Sequence, residues 1–370
     1  MNNKKKHINL FLLPLAVLYQ IGVAIRNWLY DFGILKSRSF DIPIICIGNL
    51  TVGGTGKTPH AEYLIRLLKE QFEIALLSRG YKRETKGYIL STEDSTAKQI
   101  GDEPCQMKKK FPQVQIAVDA NRCEGIDLLC QLDEPKLEVI LLDDAYQHRK
   151  VVPGVSILLT DYNNLFSDDH MLPAGRLREP AGRKDRADVV IVTKTPSKIK
   201  PMDLRVICSK LQLKPFQKLF FSTFTYGSLV AMKDSQQTNI QDVINPDDYV
   251  LLLTGIADPK TITEELTTYT SNIELMAFSD HHHYSSLDIA KVHQTFNALK
   301  EKATDARVWV ITTEKDAARL SSIALPEELL SHMYVLPIEV KIINNEQEIF
   351  NQYIINYVRS NKRYGILSSK

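Results

Sequence analysis

Gly53, Gly54 and Gly56 lead into Lys57 and Thr58 within GNLTVGGTGKTP, residues 48–59. Glycines so closely set let a backbone approach a polyphosphate, and a helix starting near Gly56 would turn its free N–H groups and positive end toward that anion. Lys57 would add a point charge at the outer phosphates, and the Thr58 hydroxyl suits Mg²⁺. Thr51, Val52, Gly53, Gly54, Thr55, Gly56, Lys57 and Thr58 are therefore the expected nucleotide-binding loop. The general pattern G-x-x-x-x-G-K-[ST] asks for glycine where this chain has Thr51, and Gly48 falls too early to replace it. Pro59 sits in the first turn of the expected helix, where a missing N–H costs little.

Phosphoryl transfer also needs a metal held by carboxylates, cations on the phosphates and a group that positions or deprotonates the acceptor. Asp143 and Asp144 close the apolar run 139–142, where the second acidic motif of such an enzyme belongs, with one carboxylate on Mg²⁺ or its waters. The alternative for this pair is a helix cap. Gln147 and His148 of DDAYQHR are polar neighbours suited to support it. Gly101-Asp102-Glu103-Pro104 brings two carboxylates together in a loop, as a functional group or as a solvated turn. LPAGRLREP, residues 172–180, is a rigid loop whose Arg176, Arg178 and Glu179 suit phosphate oxygens and a metal; a plain surface loop is the other reading.

His281, His282 and His283 follow Asp280. Adjacent histidines in an extended segment point in alternate directions and cannot all meet one ion, so one acting as a proton partner is expected rather than zinc. Guanine recognition would need an N/T-K-x-D element. Thr193-Lys194-Thr195 is followed by Pro196 instead of aspartate, and Glu314-Lys315-Asp316 lacks the spacing, which favours ATP over GTP.

The elements that must carry these residues alternate along the chain. A strand at 44–47 feeds the loop, a helix over 60–71 spaces Ala61, Tyr63, Leu64, Leu67 and Leu68 on one face, and a strand follows at 74–77. Further strand-like runs stand at 116–118, 139–142, 156–159 and 189–192. This rhythm predicts an α/β fold, a doubly wound, mostly parallel sheet of the P-loop NTPase kind with ligand loops at the strand C-termini. Past about Phe220 the pattern loosens through 233–248, and runs at 250–253 and 308–311 predict a second, smaller α/β lobe. The expected division is an N-terminal segment 1–36, a core 37–222 and a C-terminal lobe 223–370.

With 46 basic and 44 acidic residues in 370, the net charge of +2 argues against a general nucleic-acid binder. Five scattered cysteines without a CxxC pair read as buried thiols in a reducing compartment. The N-terminus carries Lys4, Lys5 and Lys6, then a largely apolar stretch 8–25 interrupted by Pro14 and Gln20, then Arg26, Trp28, Tyr30 and Phe32. Crossing a bilayer takes roughly 20 continuous apolar residues, so a helix lying in the membrane interface is expected here, with a core-packed helix as the alternative. No small-x-small cleavage site marks a signal peptide, and an exported protein would not meet cytosolic nucleotide.

Nine segments in this order, GNLTVGGTGKTP, SRGYKR, GDEP, VDANR, DDAYQHR, LPAGRLREP, TGIADP, FSDHHHYS and TTEKDAARL, resemble the tetraacyldisaccharide 4′-kinase family of lipid A biosynthesis over about residues 8 to 320. Family members carry Thr or Ser at the position of Thr51, and DDGFQHR or DDGLQHR where this chain has Ala145 and Tyr146. The resemblance implies transfer of the ATP γ-phosphate to the 4′-hydroxyl of a tetraacyldisaccharide 1-phosphate, forming lipid IVA at the cytoplasmic face of the inner membrane. It implies Asp102 as the base that receives the 4′-hydroxyl proton and His281 as its partner. Lys57 and Arg178 would neutralise phosphate oxygens, while Thr58, Asp143, Asp144 and Glu179 would organise Mg²⁺. Asp102 and His281 fall in different lobes, so catalysis would need the lobes to close on ATP. The implied partners are the lipid disaccharide and the membrane surface, with no nucleic acid and no obligate protein. Two other classes stand beside this one: a nucleotide switch or metal-delivery GTPase, and a membrane scaffold that keeps the loop for stability alone.

Overall fold

A computed structural model of the chain describes residues 10–368, apart from 257, 258, 280, 281, 283, 304, 305 and 322, with side chains from 11 to 361. It divides into two compact units, residues 1–224 with 340–370, and residues 225–339.

The first unit is built on β1 (Ile44–Asn49), β2 (Ile74–Ser78), β3 (Ile89–Leu90), β4 (Gln115–Val118), β5 (Val139–Asp143), β6 (Val155–Asp161), β7 (Val189–Thr193) and β8 (Lys218–Tyr226). The second carries β9 (Leu229–Ala231), β10 (Gln237–Thr238), β11 (Tyr249–Thr254), β12 (Asn272–Ala277), β13 (Val308–Thr313) and β14 (Met333–Leu336), after which β15 (Ile338–Ile342) returns to the first sheet. Among the described residues the first sheet runs β15-β8-β7-β6-β1-β5-β2-β4-β3 and the second β10-β9-β14-β13-β11-β12. β1 lies between β5 and β6, parallel to both, while the short β3 pairs antiparallel to its neighbour β4 at one edge and β15 runs antiparallel to β8 at the other. Every residue of β1, β2, β5, β6 and β7 is buried, as unbroken apolar runs of a parallel sheet covered on both faces must be.

Helix α1 (Leu13–Asp31) precedes β1, and α2 (Lys57–Leu68) leaves from the glycine loop after it. Ala61, Leu64, Ile65 and Leu68 of α2 pack into one core with Ile45, Ile47, Leu76 and Leu141 of the sheet. The same core takes Phe350, Ile354, Ile355 and Val358 from the last helix, Gln347–Ser368. This moves the expected lobe boundary: residues from Val340 onward belong to the first unit, not to a C-terminal lobe running from 223 to 370. The apolar stripe Phe350, Ile354, Val358 at four-residue spacing is satisfied against α2 and the sheet.

The second unit is likewise α/β. β11 is parallel to both β12 and β13, β13 to β14, β9 is antiparallel to β14, and β10 at the edge is antiparallel to β9. Its helix Ser286–Lys302 opens on a capping box in which Ser285 and Asp288 satisfy each other's backbone N–H, and it buries Ile289, Val292, Phe296 and Leu299.

Candidate active site

β1 delivers the chain to residues 50–56, and α2 leaves from Gly56. Gly56 is left-handed at φ +84°, and a Cβ there would stand 2.7 Å from Cζ of Phe224. Gly53 and Gly54 are exposed, with nothing within 4 Å of where their Cβ atoms would be, so the loop backbone is open on that side. From behind it is held tightly. Asn49 Nδ2 donates to Thr55 Oγ1 at 2.8 Å, and Thr193 Oγ1 donates to the Thr55 carbonyl at 2.9 Å. His60 is buried, its Nδ1 2.7 Å from the Gly56 carbonyl and its Nε2 2.9 Å from Ser222 Oγ. A carbonyl only accepts, so Nδ1 carries the proton and Nε2 takes the Ser222 hydroxyl. Burial pushes the ring's pKa down to about 4, which keeps it neutral.

The arginine loop is laced directly to this turn. Val52 N donates to the Arg176 carbonyl at 2.8 Å, Arg178 N donates to the Leu50 carbonyl at 2.7 Å, and Thr51 forms an antiparallel bridge with Leu177. Thr51 is therefore buried in extended, strand-like backbone, which suits a β-branched residue where the general loop pattern has glycine. The pairing sets the Arg178 guanidinium beside the loop, Nη2 3.1 Å from Asn49 Oδ1 and Nη1 3.3 and 3.4 Å from the two oxygens of Asp144.

Asp143 ends β5 with its side chain buried, and its Oδ1 has no hydrogen-bond partner. Its pKa is pushed up to about 7, first by burial, then by the carboxylates of Glu103 and Asp144, against the opposing charges of Lys57 and Arg122. Asp144 follows at φ +45°, with Lys57 Nζ 3.7 Å from its Oδ1. A buried carboxylate oxygen with no donor, crowded by like charge, is costly unless a cation meets it. Hard oxygen donors of this kind suit Mg²⁺, which takes one or two carboxylates and leaves other positions to waters and phosphates. Among the described residues no group of three His, Cys, Asp or Glu gathers into a closed metal cage.

The structure thus brings Lys57, Asp143, Asp144 and Arg178 to one place at the C-terminal ends of β1 and β5. Asp102 opens the helix Asp102–Lys110, exposed, directly after Gly101. The expected GDEP loop is thus the start of a helix, and its Glu103 is near enough to act on Asp143, which brings that helix N-terminus to the acid pair. Glu179 is oriented otherwise. Only 1% exposed, it accepts from Asn27 Nδ2 at 3.2 Å and pairs with Arg186, so both oxygens are engaged away from Lys57 and Asp144. His281 lies outside the described residues. The adjacent His282 is 3.1 Å from Asp288 and stacks on Phe278 with ring centroids 4.6 Å apart, which ties that histidine to the helix behind it. Asn49 and His60, which brace the loop, escape a reading of the sequence; the one signal each offers is a polar residue inside an apolar strand or helix face.

Residues 8–359 match the family model described as Tetraacyldisaccharide-1-P 4'-kinase. A tetraacyldisaccharide 4'-kinase of Bacteroides fragilis is 53% identical, covering 98% of this chain and 96% of the relative. One of Flavobacterium johnsoniae is 46% identical, covering 95% and 97%. The crystal structure of LpxK from Aquifex aeolicus in complex with ATP aligns with TM-score 0.72 and 28% identity over 94% of this chain and 98% of that one. Matches that run nearly end to end, through both units and every loop of the site, leave one conclusion: this chain belongs to the tetraacyldisaccharide-1-P 4'-kinase family.

Proposed function

We propose that this chain transfers the γ-phosphate of ATP to the 4′-hydroxyl of a tetraacyldisaccharide 1-phosphate, giving lipid IVA. The observation that carries the reading is the laced pair of loops, with Lys57 and Arg178 converging on the acid pair at the end of β5. Lys57 and Arg178 supply fixed positive charge where it develops on the transferring phosphoryl group. Thr58, Asp143 and Asp144 would hold Mg²⁺, which when bound neutralises phosphate oxygens and orients them. Glu179 joins that set only by leaving Arg186 and Asn27. Asp102 receives the proton as the 4′-oxygen bonds to phosphorus and ADP departs, and the family resemblance makes His281 its partner. The unpaired Oδ1 of Asp143 supports the metal assignment, and the exposed position of Asp102 at the start of its helix, beside Glu103, supports its access to the acceptor.

The acceptor is a lipid, and α1 offers a surface for meeting it. Phe11, in the turn just before α1, is 94% exposed, and on α1 Leu18 is 65% exposed, with Ile25 and Trp28 about half exposed. Among the described residues no helix is long and apolar enough to cross a membrane. The exposed apolar row of α1 supports a helix lying in the interface at the cytoplasmic face of the inner membrane.

The test is a transfer assay with γ-labelled ATP, Mg²⁺ and the lipid disaccharide. Label in a bisphosphorylated lipid is expected. ATP hydrolysis without lipid label would favour a nucleotide switch, and nucleotide bound with neither outcome would favour a scaffold.

A further inference from the structure

The N-terminal helix has two faces with different partners. Its inward stripe, Ala16, Val23, Asn27 and Tyr30, recurs at helical spacing, with Tyr19 at the exposed margin of that face. The polar groups on or beside it bond to the loops that carry the active site. The Tyr19 hydroxyl donates to the Arg178 carbonyl at 3.1 Å, and Arg26 Nη2 donates to the Gln147 carbonyl at 2.9 Å. Asn27, with no exposure at all, donates from Nδ2 to Glu179 Oε1 at 3.2 Å, and Arg149 Nη1 donates to its Oδ1 at 3.4 Å and to its backbone carbonyl at 2.8 Å. Gln147 passes the contact on, its Nε2 donating to the Asn49 carbonyl at 2.7 Å, where β1 gives way to the phosphate loop.

A fully buried asparagine in a largely apolar helix is costly unless its groups are matched, and a matched polar network specifies one arrangement rather than simply adding stability. Here the matching partners lie on DDAYQHR and LPAGRLREP, the two segments that present Asp144 and Arg178. We propose that Asn27 is a positioning residue for phosphoryl transfer: the inward face of the helix sets the posture of the Gln147 and Arg178 loops. The inference rests on the kinase reading. Neither Asn27 nor Tyr19 touches the reacting atoms; both act through the loops they bond.

The test compares full-length wild type with Asn27→Ala, Tyr19→Phe and Leu18→Glu. Three quantities are measured: kcat and KM with detergent-dispersed acceptor, nucleotide bound per chain, and flotation with phosphatidylethanolamine–phosphatidylglycerol vesicles. Misplacing a charge-bearing loop by a fraction of an ångström costs rate steeply, so Asn27→Ala should lower kcat about tenfold, with KM for ATP, bound nucleotide and flotation unchanged. Tyr19→Phe removes a single exposed hydroxyl and cannot unfold the chain; it should lower kcat about threefold by the same route. Leu18→Glu should lose flotation while bound nucleotide per chain stays at the wild-type level. Should Asn27→Ala fail to fold, Tyr19→Phe decides. Wild-type kcat in Tyr19→Phe and Asn27→Ala, or a loss of kcat matched by an equal loss of bound nucleotide, overturns the inference while leaving the kinase reading standing. A wild-type chain that labels no lipid overturns the kinase reading, and the inference with it.

Discussion

Lys57 Nζ stands 3.7 Å from Oδ1 of Asp144, whose backbone is left-handed at φ +45°. The same carboxylate receives Arg178, so two cations from separate loops share one acid at the mouth of the phosphate loop. Such sharing keeps both side chains extended toward the place where phosphate charge would replace or join that of Asp144.

Lys57→Ala should lose turnover by about a hundredfold or more, the usual scale for removing a charge contact made in the transition state. The lysine lines a loop and is no part of the hydrophobic core, so the unfolding midpoint should stay near wild type. Kinetics alongside thermal unfolding check both halves, and near-normal turnover would remove the loop from the phosphate site.

Gly56→Ala and Gly54→Ala separate backbone need from mere flexibility. At Gly56 an added methyl meets the Phe224 ring and the φ of +84° costs a non-glycine residue about 1–2 kcal/mol, so ATP affinity and stability should both fall. At Gly54 the methyl enters open space, and stability should change by less than about 1 kcal/mol. Nucleotide titration and unfolding of both variants test the contrast; equal effects would sink it.

Asp143→Asn should stabilise the metal-free protein while abolishing its Mg²⁺ response. The folded carboxyl is raised to about 7 and the unfolded one is ordinary, so the unfolded state binds fewer protons between those values and ionised Asp143 destabilises the fold most at high pH. The gain from the substitution should therefore reach a few kcal/mol at about pH 8 and shrink toward pH 4. Added Mg²⁺ should raise the midpoint of wild type and leave the variant unmoved. A variant less stable than wild type at pH 8 would show that the orphaned oxygen is not a burden.

His60 makes the opposite case. Its folded pKa of about 4 lies below the unfolded value of 6.5, so the unfolded state binds the extra proton between them and stability should fall as pH drops through that window. The loss is on the order of 3 kcal/mol at most. Denaturant unfolding of nucleotide-free protein from pH 7 to 4 measures it. His60→Asn should be less stable at pH 7 and show a flatter acid limb; an unchanged limb would mean that another group governs it.

Much of the molecule is legible in the sequence. Glycines beside Lys57-Thr58, the apolar runs of β1, β5, β6 and β7, and the acid pair closing β5 are signals contained within single segments, where chain stiffness and periodicity act directly on the residues that show them. The apolar stripe of the last helix is equally visible in principle, but a stripe says only that a face will be covered. That it is covered by the core of the first unit, across the excursion through residues 225–339, depends on which surface offers the matching shape.

The same holds for the polar choices. Sequence alone determined that this chain would carry a nucleotide loop on a parallel sheet, and that Arg178 and Glu179 would lie near one another as neighbours. Only tertiary structure decided that Arg178 turns to Asp144 while Glu179 turns to Asn27 and Arg186, and that Thr51 pairs with Leu177. Two of these join segments more than a hundred residues apart, Thr51 with Leu177 and Asn27 with Glu179, 152 positions away, and Arg178 reaches Asp144 across 34. Hydrogen-bond valence can be counted on each residue by itself, but its partner is chosen by which buried donor and acceptor meet once the apolar faces have packed.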